Sequence, residues 1–156
     1  MCGIVCYIGE ANGIPVVLEG LSRLEYRGYD SAGLCFLKSS KLKIVKKKGK
    51  VSTLRQLIPK SFNGNVVLGH TRWATHGKPN DKNAHPHISM NKKFAIVHNG
   101  IIENYDSIKE GLIQRGYKFQ SETDTEVLVN LIEYIQLESQ ASLIEAVQQT
   151  LTQVIG

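Results

Sequence analysis

The chain opens Met1-Cys2-Gly3-Ile4-Val5-Cys6-Tyr7-Ile8, and the fold is read outward from this stretch. Gly3 to Ile8 is a run rich in small and β-branched residues, which predicts a short strand. Cys2 stands immediately before it. Removal of Met1 would leave a thiol and a free α-amine on one residue. A thiol is a strong nucleophile only as thiolate. An α-amine, with a reference pKa of about 8, accepts a proton near neutrality. One residue would then supply both nucleophile and base. Position alone favours the plainer alternative, a small residue that merely starts a strand.

Beyond this strand, Ile14-Pro15 opens a predicted helix, with Pro15 suited to the first turn. Ile14, Val17, Leu18, Leu21 and Leu24 follow on one apolar face. Leu34 to Leu37 and Leu42 to Lys47 are expected to pair around a Ser39-Ser40 turn. Val51 to Leu57 is a short helix candidate, and Val66 to Gly69 and Phe94 to His98 are strand candidates. Tyr105 to Arg115 predicts an amphipathic helix with Ile108, Leu112 and Ile113 inward, stopped by Gly116. Thr125 to Ile135 and Ser142 to Leu151 predict two more helices. Strands crowd the first part and helices the end, so the expected class is α+β and layered. Val154-Ile155-Gly156 reads as the start of a further strand, and truncation is the expected reason that it stops there.

The 156 residues fit one domain, and 42% hydrophobic with 21% charged residues can bury a core. No stretch is apolar and long enough to span a membrane, and the N-terminus lacks the pattern of a secretory signal. A cytoplasmic location is therefore the expectation. Three cysteines, Cys2, Cys6 and Cys35, do not make a disulfide framework. Nor do they make a zinc site, because Cys2 and Cys6 have no matching second pair. The net charge is +5 and unevenly spread. Lys38, Lys41, Lys43, Lys46, Lys47, Lys48 and Lys50 fall in an acid-free stretch between Asp30 and Asp81. A nucleic-acid patch is one explanation. A lysine-guarded strand edge is the better one, because no aromatic residue interleaves with the run.

The motifs go further. Cys2-Gly3-Ile4-Val5 is similar to the start of the class II glutamine amidotransferases. Leu24-Glu25-Tyr26-Arg27-Gly28-Tyr29-Asp30-Ser31-Ala32-Gly33 resembles the glucosamine-6-phosphate synthase branch, where the phosphoribosyl-pyrophosphate branch usually carries His-Arg-Gly. The resemblance continues in order through His70 to Gly77, Asn83 to His87, His98 to Asn104 and Ser121 to Glu126. It implies an N-terminal-nucleophile hydrolase αββα sandwich, here incomplete. Residues 1–156 would be a partial glutaminase domain, with sugar-isomerase domains absent.

The resemblance also implies roles. Cys2 attacks the glutamine side-chain carbonyl. Arg27 lies near the N-terminal residue. Asn99, through its side-chain amide, and Gly100, through its backbone N–H, form an oxyanion hole. Arg72 grips the substrate carboxylate and Asp124 meets its ammonium. Trp73, Thr75 and His76 belong to a loop over the bound glutamine. Plainer alternatives stand beside these. Asn99-Gly100 is a hairpin turn signal, Thr123 with Glu126 is a capping box, and Arg72 alone is a surface ion pair. His85 and His87 flank Pro86 without a third metal ligand, so loop histidines are expected and no metal. No cofactor is implied. The expected partners are L-glutamine, and fructose 6-phosphate only through the absent isomerase domains. Neither nucleic acid nor membrane is expected, whereas self-association of the incomplete sandwich is. The remaining alternatives are a phosphoribosyl-pyrophosphate glutaminase and a non-catalytic glutamine-binding module.

Overall fold

A computed structural model describes residues 1–74 and 77–156. Its first strand, β1 (Gly3–Ile8), is followed by helix α1 (Ile14–Leu24) and a single 3-10 turn (Glu25–Arg27). Pro15 lies in the first turn of α1, where its missing N–H costs nothing. Ile14, Val17, Leu18 and Leu21 recur at helical spacing and are buried. Each such side chain contributes about 1.5–3 kcal/mol through burial.

The next elements are β2 (Ser31–Lys38), β3 (Lys41–Lys48), α2 (Val51–Gln56) and β4 (Val66–Arg72). Ser39 and Ser40 form the expected two-residue turn, both with positive φ (50° and 60°). That conformation matches the twist of the flanking strands. The sheet runs β1-β4-β2-β3, and all its pairs are antiparallel. β2 is central and buried on both faces from Ser31 to Phe36. Ala32, Leu34 and Phe36 join Val67 and the apolar faces of α1 and α2 in one core.

On the other face of this sheet lies a small hairpin of β5 (His87–Ile88) and β6 (Ala95–Ile96). The imidazole of His85, just before β5, stacks on His70 of β4 at 4.3 Å between centroids. Gly33 of β2 faces the same place, where a Cβ would collide with the His85 carbonyl. Above the hairpin sit α3 (Tyr105–Gln114), α4 (Asp124–Ser139) and α5 (Leu143–Leu151). Leu112, Val127, Leu131, Ile132 and Ala146 form the second core between them. The order of layers is thus helix, sheet, small sheet, helix.

Four local expectations are corrected. Ile113 is not inward but half-exposed, because it lies about 100° around the helix from the buried Leu112. The strand expected at Phe94 to His98 is only β6, since its partner β5 has two residues. Val154 to Gly156 is not a strand. The Asn104 amide clasps this tail instead, donating to Gln153 O and accepting from Ile155 N, and Glu103 N adds one bond to Ile155 O. The capping box at α4 is half-formed: Thr123 Oγ1 accepts from Glu126 N, but Glu126 turns back to Gln120 N, Ser121 N and Ser121 Oγ. The box closes at α5, between Ser142 and Glu145.

The lysine run becomes β3, the edge of the main sheet. Its outer backbone is capped at one point, where Asp81 accepts from Lys48 N and Lys47 Nζ. Strongly charged edge strands resist pairing with another chain.

Candidate active site

Five separated segments converge at the end of the main sheet. The start of β1 brings Cys2, and the end of β4 brings Arg72 and Trp73. The loop after β6 brings Asn99 and Gly100. The start of α4 brings Asp124, and the turn after α1 brings Arg27. All seven residues line one cavity of about 740 Å³, within the range of about 300–1,000 Å³ typical of small-molecule sites. Thr75 and His76 lie outside the described residues.

The thiol of Cys2 is held between main-chain groups. Trp73 N–H donates to Cys2 Sγ at 3.1 Å, and Trp73 O lies 3.5 Å away. An N–H aimed at sulfur fixes where the Sγ sits at the cavity wall. The Trp73 indole is half-exposed and covers Gly28, whose φ of +94° suits a residue without a Cβ. A Cβ at Gly28 would strike that ring. Met1 folds over the mouth: its ammonium donates to Arg27 O at 2.8 Å, and Arg27 Nη2 donates to Met1 Sδ at 3.4 Å.

Arg72 is buried, not a surface ion pair. Its Nη2 donates to Gly77 O at 3.1 Å, and its Nη1 lies 3.8 Å from Asp30 Oδ1. Asp30 also accepts from Ser31 Oγ at 2.7 Å and from Ala74 N. One carboxylate therefore fixes the guanidinium and the chain that leaves β4. Asp30 was not among the sequence candidates. Its signals were its place in the Leu24 to Gly33 motif and its being the last acid before fifty residues without another.

Asp124 is buried at the first residue of α4. Its oxygens accept from Ile102 N and Thr125 N, both at 2.9 Å. A carboxylate at a helix start is favoured by the helix dipole. Here it also ties α4 to the Asn99 loop.

Asn99 and Gly100 are not a hairpin turn, since no strand follows them. Asn99 Nδ2 points toward Cys2, 3.5 Å from its carbonyl oxygen, and Oδ1 meets His70 Nε2 at 2.8 Å.

The histidines form a buried stack beneath the cavity. His85 stacks on His70 and meets His87 edge-on at 4.7 Å. One nitrogen of each of two rings meets a hydroxyl: His85 Nε2 bonds Thr125 Oγ1 at 3.0 Å, and His87 Nε2 bonds Thr123 Oγ1 at 2.9 Å. His98 Nδ1 reaches the same Thr125 hydroxyl at 3.4 Å. Burial lowers His70 to about 4. Burial, reinforced by neighbouring histidines and cations, pushes His85 and His87 well below the ordinary value. These rings are neutral at neutral pH. They serve as a packed polar floor, and among the described residues no cluster suits a metal ion.

Two sheets between helical layers, with the Cys2 thiol and the Asn99 amide opening into one cavity at the sheet end, make the N-terminal-nucleophile hydrolase architecture. A family model described as a glutamine amidotransferase domain matches residues 60–144, more than half of the chain, and the chain belongs to that family.

Among individual enzymes, the chain is 52% identical over its whole length to glutamine–fructose-6-phosphate aminotransferase (isomerizing) of Caldanaerobacter subterraneus subsp. tengcongensis, covering 25% of that protein. It is 53% identical to the enzyme of the same name from Bacteroides thetaiotaomicron, covering 26% of it. The chain thus spans about a quarter of the length of these relatives. Among solved structures, the glutamine phosphoribosylpyrophosphate amidotransferase of B. subtilis, complexed with ADP and GMP, superposes with a TM-score of 0.82. It is 27% identical and covers 100% of this chain and 33% of its own.

Proposed function

We propose that this chain hydrolyses the side-chain amide of L-glutamine. In the larger protein, the ammonia would serve synthesis of glucosamine 6-phosphate from fructose 6-phosphate. The observation that carries this is the convergence of Cys2 Sγ, the Asn99 amide and the buried Arg72 and Asp124 on one cavity. That set meets each end of a free amino acid and its reacting amide.

The chemistry begins with removal of Met1, which exposes the α-amine of Cys2. The amine takes the thiol proton, and sulfur attacks the amide carbon. A C–S bond forms, and the oxyanion is met by Asn99 Nδ2 and Gly100 N–H. The C–N bond then breaks as nitrogen takes the proton from the α-ammonium, and ammonia leaves. Water attacks the thioester, releasing glutamate and the thiol. Arg72 holds the substrate carboxylate with two parallel hydrogen bonds. Asp124 faces the ammonium, and Arg27 orients the N-terminal residue. Trp73, at the rim of the cavity, covers the bound amino acid. No cofactor enters these steps.

A phosphoribosyl-pyrophosphate glutaminase is the second reading, supported by the solved neighbours. Identity of 52% against 27% favours the aminotransferase. A cytoplasmic location and self-association of the chain belong to the same proposal. The latter rests on the β1 edge, where Ile4 and Ile8 are exposed and no lysine guards the strand.

The test is glutamate release by the Met1-processed protein and its Cys2→Ala variant. Loss of turnover with retained glutamine binding is expected. Unchanged turnover in Cys2→Ala would refute the nucleophile, and binding without turnover in the processed wild type would leave a binding module.

A further inference from the structure

An asparagine side chain helps an oxyanion only when its nitrogen faces the developing charge. Turned by 180°, it presents Oδ1 lone pairs and repels that charge. The two orientations have almost the same shape, so packing cannot choose between them. The choice is made at the other end of the amide, by whatever meets it there.

At Asn99 that group is the His70 ring. His70 sits on β4, fully buried, and its Nε2 lies 2.8 Å from Asn99 Oδ1. We propose that His70 is a positioning residue: its Nε2–H donates to Asn99 Oδ1, which leaves Nδ2 turned toward Cys2.

The alternative pairing would put the proton on Nδ1 and let Asn99 Nδ2 donate to a bare Nε2. Nδ1 is buried and has no hydrogen-bond partner among the described residues. A buried N–H left unpaired costs about 1–3 kcal/mol, and bare acceptors are better tolerated than orphaned donors. The proton therefore belongs on Nε2. Burial also keeps the ring neutral at working pH, with one proton to place. Stacking on His85 at 4.3 Å, nearly parallel at 21°, holds the ring plane. A tautomer fixed in the core thus sets the polarity of an amide at the surface of the cavity.

This proposal rests on the glutaminase reading and makes a demand that reading does not. Removing one oxyanion donor typically lowers kcat by about 10²–10³. His70→Phe keeps the ring and loses the donor, so kcat for glutamine should fall about a hundredfold while KM stays within about twofold. His70→Gln places an amide N–H near the Nε2 position and should restore most of kcat. In an Asn99→Ala background His70→Phe should cost little more, because the group it positions is gone.

Equal losses from His70→Phe in both backgrounds would overturn the proposal, as would failure of His70→Gln to outperform His70→Phe. The ring nitrogen chemical shifts of His70 in the wild-type protein give a check independent of any variant. A protonated Nδ1 with a bare Nε2 would also overturn it. Turnover that persists in Cys2→Ala would instead sink the reading of the site, so the two failures are told apart.

Discussion

Lowering the pH should unfold this domain before its carboxylates titrate. His70, His85 and His87 are buried and neutral. Their folded pKa values lie below the ordinary value of 6.5, so the unfolded chain binds more protons. The stability they contribute is fully present above about 6.5 and is lost as pH falls toward the folded values. For His70, with a folded value of about 4, the linkage relation gives a loss of about 2 kcal/mol between about pH 7 and about pH 5. His85 and His87 act in the same direction. The carboxylates with lowered values, such as Asp81 and Glu145, lose their contribution only below their ordinary 3.8 and 4.5. The two windows are therefore separable. Urea melts through this range should show stability falling steeply with acid, with about two to three protons taken up on unfolding. Equal stability at about pH 7 and about pH 5, or uptake of less than about one proton, would refute the claim that these rings are held neutral by burial.

Three further outcomes are expected. Native alkylation should modify Cys2 and leave Cys35 untouched, since Cys35 is buried and its thiol is pushed up to about 11; glutamine should protect Cys2 but not the exposed Cys6, as peptide mapping would show. Arg72→Lys should raise the glutamine KM about 10- to 100-fold, because a lysine loses the forked grip, a loss worth about 1.5–3 kcal/mol. An unchanged KM would remove Arg72 from the substrate site. Light scattering across a dilution series should reveal association through the β1 edge, over an interface of at least about 1,200 Å² in total, and a monomer at all concentrations would show that edge to be inert.

Much of this was legible in the chain itself. The periodicity of Ile14 to Leu21 marked α1, the two serines marked the β2–β3 turn, and the lysine run marked a sheet edge. These signals are local, since each depends on residues within a turn or two of one another. Local patterns also misled. Asn99-Gly100 has the composition of a hairpin turn, and Thr123 with Glu126 has that of a full capping box. At Asn99 a distant partner won, since His70 took the amide; at Glu126 a nearer one did, the backbone at Gln120 and Ser121, which the folded-back chain before α4 presents to the carboxylate.

The sequence by itself determined most of the elements, the class of the fold and, through the order of its motifs, the family. It could not determine which way the Asn99 amide faces, that Asp30 locks Arg72, or that the main-chain N–H of Trp73 meets the Cys2 thiol. Nor could it rank the histidines, which look alike in the chain and differ only in burial. Those facts depend on contacts between residues 29 to 71 positions apart. Burial strengthens such contacts and penalises their absence, so they fix hydrogen-bond polarity and proton location only once β1, β4 and the Asn99 loop have come together.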